Sequence, residues 1–157
     1  MAKGKGISII VPLTLSGLEK YRAESWEWLR KYWKANLPGA EVTVGSDSTG
    51  TPFSKSVAVN DAVRKSKGDI LAVLDADAYL SIDSVLRCAR EIRLAKTKGH
   101  KLWFVPYRKL YRLTEDASRK ILDSNPKHPL LVSIDPPETD IINTAIYCGT
   151  PVSKIGH

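Results

Sequence analysis

The chain has 157 residues, the usual size of one compact domain, and its 43% hydrophobic and 26% charged residues exclude a disordered polymer or a fibrous repeat. Its 24 Lys and Arg residues against 17 Asp and Glu give a net charge of +7, which favours anionic partners such as nucleotides, nucleic acid or acidic polymers. Two isolated cysteines, Cys88 and Cys148, exclude a disulfide scaffold and a cysteine zinc site, and they predict a reducing, cytoplasmic compartment. No apolar segment is long enough to predict a membrane span.

The first half of the chain predicts three strands that alternate with helices. The apolar run Ile7–Leu13 is rich in β-branched residues, which is typical of a strand buried on both faces. A helix is expected to begin at Ser16 or Gly17 and to end before Pro38. The remaining elements of this half are a strand at 41–46, a helix at 56–66 and a strand at 69–74.

The first predicted helix is rich in tryptophan. Trp26 and Trp33 follow the spacing of its apolar stripe, so we expect both to be buried. Trp28 falls outside that stripe, which makes it a candidate for contact with an acceptor or a partner protein.

The second half continues the alternation less regularly. Asp83 is expected to cap a helix that ends near Gly99, and residues 101–107 predict a fourth strand. Thr114 is expected to cap a short helix, and residues 141–148 predict a last strand. Strands that alternate with helices in this way predict an α/β fold with a mostly parallel sheet flanked by helices.

Polar residues follow the predicted strands at the points where each strand ends. Thr14, Asp47, Asp75 and Asp77 all occupy such positions, and ligands of parallel sheets bind beyond the carboxyl ends of the strands. In an extended backbone Asp75 and Asp77 project to the same face, where their charges repel unless a cation lies between them. Mg²⁺ or Mn²⁺ held by these carboxylates and by substrate phosphates satisfies that geometry. The alternative is a pair of solvated loop aspartates.

The segment from Ser54 to Asp77 resembles the donor-binding core of the GT-A glycosyltransferases of family 2, in which a helix of small residues carrying an asparagine leads through a Gly-Asp turn into a strand that ends in Asp-x-Asp. Ile7–Leu13 is similar to the first strand of that family, and the resemblance covers about residues 7 to 85. It implies a GT-A-like, Rossmann-like fold over 1–157, as a single nucleotide-sugar-binding domain that is minimal or lacks a C-terminal acceptor part.

The resemblance also implies roles for individual residues. Asp77 would bind the Mn²⁺ or Mg²⁺ ion that bridges the diphosphate, Asp75 would contact the donor ribose or sugar beside that metal, and Asp47 would accept a hydrogen bond from the base, with a UDP-sugar as the favoured donor. The other residues that it implies around the donor are Pro12, Leu13 and Thr14 at the base, Lys55 and Arg64 at the phosphates or base, Asn60 beside the Asp-x-Asp loop, and Ala76 within it.

Family members carry a later Glu-Asp pair that supplies the catalytic base for an inverting displacement. The one Glu-Asp pair after Asp77 is Glu115-Asp116, which is better explained as favourable charge at a helix N-terminus. Asp135, Glu138 and Asp140 are the remaining candidates for the base. The acceptor is unidentified, and the positive charge of the chain favours an anionic one.

Two other classes of function stay open on the sequence. The first is a module that binds a nucleotide sugar without turnover. The second is a basic nucleic-acid-binding domain, because a basic stripe with Glu91 as its one acidic residue is formed by Arg87, Arg90, Arg93, Lys96, Lys98 and Lys101. Aromatic residues are not interleaved with that stripe, so a solvated outer helix face is the favoured explanation.

A phosphatase of the haloacid-dehalogenase type is a weaker alternative. Such enzymes also carry Asp-x-Asp after a strand, and the first aspartate is their nucleophile. They place a threonine or valine where Tyr79 stands and carry the motif on the first strand, so the resemblance to Asp75–Tyr79 is partial.

Overall fold

The computed structural model describes residues 3–14, 18–49, 52–78, 80–107, 109–130 and 139–144. The chain divides into two compact units, residues 1–79 and 80–157. None of the helices in the described ranges is long and apolar enough to cross a membrane.

The first unit is built on a three-stranded parallel sheet. Its strands are β1 (Ile7–Pro12), β2 (Glu41–Gly45) and β3 (Ile70–Val73), in the order β2-β1-β3. Ser8 lies opposite Glu41 on one side of β1, and Ile7 lies opposite Ile70 on the other. Every residue of the central strand is buried, as predicted for a strand covered on both faces. The three strands predicted in this half are therefore confirmed to within one or two residues.

Helix α1 spans Lys20–Asn36 and contributes an aromatic cluster to the core of this unit. It begins later than predicted, since residues 18 and 19 are not helical and 15–17 lie outside the described ranges. Trp28 is buried and stacks on Tyr32, with ring centroids 5.5 Å apart, and Tyr32 meets the edge of Trp33 at 4.8 Å. The expectation that Trp28 points away from the core is wrong, because the buried face includes Trp28 and Tyr32, which are four residues apart.

Helix α2 spans Lys55–Lys65, one residue earlier than predicted, and packs against β1 and β2. Its buried residues, Ala58 and Ala62, are small, and they meet β2 at a glycine. A Cβ atom on Gly45 would overlap the carbonyl oxygen of Ala58 and would lie 2.7 Å from the Cβ of Ala62. The small residues thus let the helix backbone approach the end of β2 closely.

A buried serine links all three strands of the sheet. The hydroxyl of Ser8 on β1 donates to Glu41 Oε2 on β2 at 2.6 Å, and it accepts from the amide of Gly68, just before β3, at 2.8 Å. The same Glu41 oxygen accepts from the amide of Lys67 at 2.8 Å. These hydrogen bonds, the Ser8 hydroxyl first, hold the pKa of the Glu41 carboxyl below its usual value of 4.5.

We predict that this carboxylate makes folding sensitive to acid. A folded-state pKa below the unfolded value stabilises the native state above about pH 4.5, and that contribution is lost as the pH falls through the lower folded value. Glu41→Gln should lower the free energy of unfolding at pH 7 by about 1 kcal/mol, and the difference from the wild type should shrink toward pH 4. Urea denaturation at several pH values measures both. Glu91 is the control, because its side chain is 41% exposed and its one ion pair, with Arg90, lies at the surface among the described residues, so Glu91→Gln should cost under about 0.5 kcal/mol at pH 7. A Glu41→Gln difference that does not change with pH would contradict the prediction.

The second unit contains α3 (Ile82–Thr97), β4 (Lys109–Leu113), α4 (Glu115–Leu122) and β5 (Thr139–Thr144). Strands β4 and β5 pair antiparallel, with an irregularity between Leu110 and Tyr111. The hydroxyl of Thr114 accepts from the amide of Ala117 at 3.2 Å, so the predicted cap of the short helix is confirmed.

Three boundaries in the second unit differ from prediction. Helix α3 begins at Ile82 after Ser81, so Asp83 lies in its first turn, where its charge favours the helix dipole, and is not the cap. Residues 101–107 form no regular strand, because Pro106 has no amide hydrogen to donate to a ladder, and the strand follows at β4. The last strand ends at Thr144, and residues 145–148 of its predicted range lie outside the described residues.

Candidate functional site

A cavity of about 590 Å³ opens in the first unit beyond the carboxyl ends of β1 and β3. Its volume falls in the range of small-molecule sites. Four segments supply its walls: the residues after β1, the beginning of α1, the residues at the beginning of α2, and the residues after β3. The cavity therefore lies at the edge of the sheet where ligands of parallel sheets bind.

Backbone hydrogen bonds hold two of these segments beyond the strand ends. Leu13 donates to the carbonyl of Gly45 at 2.9 Å, and Leu74 donates to the carbonyl of Ile10 at 3.0 Å, so the ladders on both sides of β1 continue toward the cavity. The apolar part of the lining consists of Pro12, Leu13, Leu18, Phe53 and Ala76.

Thr14 also lines the cavity, and its hydroxyl oxygen is buried. Within the part of the chain that the structure describes, this oxygen has no hydrogen-bond partner. An unsatisfied buried hydroxyl costs free energy, so a polar atom in the cavity would gain a ready partner here.

The charged part of the lining contains three carboxylates and two cations, and two of the carboxylates form ion pairs with the cations. Lys55 Nζ lies 2.6 Å from Asp75 Oδ1, and an Arg22 nitrogen lies 3.6 Å from Asp77 Oδ2. All four side chains are about half exposed. Glu19, which precedes α1, is the third carboxylate.

Asp75 and Asp77 line the same cavity, but the backbone between them is not extended as predicted. Ala76 and Asp77 form a turn, with the amide of Ala78 donating to the carbonyl of Asp75 at 3.1 Å. Ala76 is buried at its centre, so the turn is anchored in the protein while both carboxylates are exposed.

The carboxylates have the chemistry that a divalent metal needs, without a complete set of ligands. Among the described residues, no three His, Cys, Asp or Glu side chains come together as a metal site. Asp75 and Asp77 supply hard oxygen ligands on one cavity wall, and Mg²⁺ is commonly held by one or two carboxylates together with substrate phosphates. The residues present therefore fit a metal that binds together with a phosphorylated substrate.

Asp47 is engaged in a loop and is not among the residues that line the cavity. Its Oδ1 accepts from the amide of Thr49 at 2.8 Å and from the Thr49 hydroxyl, and its Oδ2 accepts from the amide of Ser54 at 2.7 Å. These bonds, the Thr49 hydroxyl first, lower the pKa of Asp47 from its usual value. The carboxylate thus braces the loop that leads from β2 to α2, where Ser54 caps the helix by accepting from Val57. Its role at the base stays a prediction.

The remaining predicted site residues are distributed as follows. Asn60 and Arg64 are exposed on α2, and neither is among the residues that line the cavity. Asp135 and Glu138 lie outside the described residues. Asp140 lies in β5 and is described only by its backbone, which pairs with Arg112 of β4.

Four residues that line the cavity were not predicted as site residues: Leu18, Glu19, Arg22 and Phe53. Arg22 lies in the first turn of α1, the helix that follows β1, and Phe53 directly precedes the cap of α2. The available signal in the sequence was the position of these residues in segments that follow strands of a parallel sheet, where ligands bind. That signal does not specify which of them turns toward the ligand.

The parallel sheet and the paired charges at its carboxyl edge define an α/β domain of the GT-A-like, Rossmann-like type. The family model of glycosyl transferase family 2 matches residues 22–130, which is more than half of the chain and includes Asp75 and Asp77. The chain belongs to glycosyl transferase family 2, as its resemblance to that family indicated, and glycosyl transfer is the general reaction that this membership supports. Neither the curated proteins nor the solved structures gave a match.

Proposed function

We propose that the cavity binds a nucleoside-diphosphate sugar, UDP-linked, together with Mn²⁺ or Mg²⁺, and that the chain transfers the sugar with inversion to an acceptor hydroxyl. The observation that carries this proposal is the presence of Asp75 and Asp77 on one cavity wall with Lys55 and Arg22 beside them. The reaction is proposed to occur in the cytoplasm, in keeping with the sparse cysteines of the chain.

Charge balance supports a metal–diphosphate complex as the occupant of the charged part of the cavity. Two of the three carboxylates there, Asp75 and Asp77, are compensated by Lys55 and Arg22, and Glu19 is the remaining negative charge. A divalent metal and a diphosphate also compensate each other, so the two can enter together with little change in net charge. The metal would bind the carboxylates and neutralise the leaving diphosphate, and the two cations would bind phosphate oxygens.

The apolar lining supports the nucleoside part of the donor. Pro12, Leu13 and Phe53 offer surface for a planar base, and aromatic rings commonly stack on bases. The buried hydroxyl of Thr14, which has no hydrogen-bond partner among the described residues, would supply a polar contact to the donor. Transfer also needs a carboxylate to take the proton of the acceptor hydroxyl, and Asp135, Glu138 and Asp140 remain our candidates for it.

Titration calorimetry tests the donor site directly. UDP and GDP are each titrated into the full chain with Mn²⁺ and with EDTA. We expect UDP to bind with Mn²⁺ and to lose most of its affinity in EDTA. Binding of neither nucleotide would overturn the proposal. If UDP-sugars bind but no UDP is released in the presence of candidate acceptors, a binding module is favoured. If the chain binds DNA tightly and added nucleotides do not weaken that binding, a basic nucleic-acid-binding domain is favoured.

We predict that Thr14→Val separates ligand binding from stability. Valine keeps the shape of threonine and removes a hydroxyl that has no partner among the described residues, so stability should stay the same or rise. Affinity for UDP with Mn²⁺ should fall about two- to tenfold, the usual value of one hydrogen bond. Thr43 is the matched control, because its hydroxyl is also buried without a described partner but it does not line the cavity. Equal UDP affinities for Thr14→Val and Thr43→Val would contradict a ligand contact at Thr14.

A further inference from the structure

Arg22 lines the candidate donor site but is not among the site residues predicted from the sequence. It projects from the first turn of α1 into the cavity lining, and its side chain is 56% exposed. Its nearest anionic partner is Asp77, at 3.6 Å from a guanidinium nitrogen. This separation exceeds the length of about 2.7–2.9 Å of a charge-assisted hydrogen bond, so the pair is an electrostatic contact without a short hydrogen bond.

A second arginine of the same helix shows what a closed arginine–carboxylate pair looks like in this protein. Arg30 donates to Glu27 through Nε at 3.2 Å and through a terminal nitrogen to both carboxylate oxygens at 3.0 Å. Its side chain is 58% exposed, much like that of Arg22, but it does not line the cavity. Arg22 therefore differs from Arg30 in its looser contact and in its position.

We propose that Arg22 is a diphosphate-binding residue that Asp77 holds beside the cavity until the donor and its metal arrive. This inference rests on the proposed function, because it assumes that a nucleoside diphosphate and a divalent metal occupy the cavity. When they bind, the Asp77 carboxylate separates from the Arg22 guanidinium and binds the metal. The guanidinium then binds phosphate oxygens in place of the carboxylate. Lys55 and Asp75 form the corresponding second pair at 2.6 Å.

The chemistry of the guanidinium favours this exchange. Its planar array of five donors matches two phosphate oxygens at once. The half-exposed pair with Asp77 is weak and easily broken, as surface ion pairs usually are. Arg22 also opposes metal binding in the absence of nucleotide, since its positive charge lies beside the carboxylate that the metal needs.

The proposal predicts effects of opposite sign for one substitution. Arg22→Gln should weaken binding of UDP with Mn²⁺ about tenfold or more, because charge-assisted contacts to phosphate are lost. The same variant should bind Mn²⁺ alone about two- to fivefold more tightly, because Asp77 loses its competing cation. UMP should be affected less than UDP, and uridine should not be affected.

Calorimetry with UDP, UMP and uridine, and titration of Mn²⁺ alone followed by electron paramagnetic resonance, measure both effects. Arg30→Gln is the matched control on the same helix and should change neither. Arg22→Lys keeps the charge and should lose only about threefold in UDP affinity, which keeps the test valid if the glutamine variant folds poorly. If the wild type binds UDP with Mn²⁺ and Arg22→Gln has the same affinities as the wild type for UDP and for Mn²⁺ alone, this inference is overturned and the proposed function is not. Failure of the wild type to bind UDP or GDP with Mn²⁺ would overturn the proposed function and the inference with it.

Discussion

Asp77→Asn should abolish metal-dependent binding of UDP, with a loss of affinity of about 100-fold or more. A carboxylate is a far better ligand than an amide for Mg²⁺ or Mn²⁺, and changes even in groups that only support a metal ligand commonly cost 10- to 100-fold. Titration of UDP with Mn²⁺ and with EDTA measures the loss. The weak binding that remains in EDTA should not fall, since the substitution removes a negative charge and leaves Arg22 and Lys55 in the cavity lining.

The control for this substitution is Asp123→Asn, which makes the same change in charge at an exposed position at the end of α4. It should bind UDP like the wild type. Metal-dependent binding that survives in Asp77→Asn would show that the metal is held elsewhere. Affinity for nucleic acid, if electrostatic adhesion is the true activity, should be unchanged or higher in both variants.

Gly45→Ala should be the most damaging single-atom change to the fold of the first unit, lowering the free energy of unfolding by about 3 kcal/mol. The added methyl group would overlap the backbone of α2 at Ala58 and crowd Ala62, and neither backbone can rotate away as a flexible side chain would. For a chain of this length such a loss corresponds to a fall in Tm of about 6–12 °C. Because α2 carries Lys55 at its first position, UDP affinity should fall as well.

Gly99→Ala separates steric overlap from backbone strain. Gly99 has a φ of +76°, but no atom of the residues that the structure describes lies within 4 Å of a Cβ atom added there. Its replacement should cost only about 1 kcal/mol, the usual penalty for placing alanine in the left-handed region. Thermal and urea denaturation of both variants measure the difference. If Gly45→Ala unfolds like Gly99→Ala or like the wild type, the close approach of α2 to β2 is contradicted.

The fold of the first unit could be predicted well because its signals are local. The apolar run of β1 has apolar side chains on both faces of the strand, so both faces must be buried to remove them from water. The glycine and proline residues around it mark where elements end. The prediction at 101–107 failed because apolar content was weighed above Pro106, whose missing amide hydrogen interrupts a ladder. The prediction for Trp28 failed because a stripe drawn through Trp26 was set in the wrong helical phase, and the buried face is centred on Trp28, Leu29, Tyr32 and Trp33.

The candidate site could be predicted in part. Strand ends are readable from the sequence, so Asp75, Asp77 and the residues after β1 were singled out, and all of these line the cavity. Lys55 was also named, and it lies there as well. Which side chain of a following helix or loop turns into a cavity depends on helical phase and on tertiary hydrogen bonds, which no short motif encodes. Arg22 and Phe53 were missed for that reason, and the hydrogen bonds that occupy the Asp47 carboxylate could not be foreseen.

The binding of a nucleotide–metal complex by Asp77 is tested most directly by a crystal structure of the full chain with UDP and Mn²⁺, with diffraction data collected at an energy where manganese scatters anomalously. We expect one anomalous peak in coordination contact with the Asp77 carboxylate, with the diphosphate between that metal and the cations Lys55 and Arg22. A nucleotide bound outside this cavity, or manganese held by other residues, would contradict this expectation.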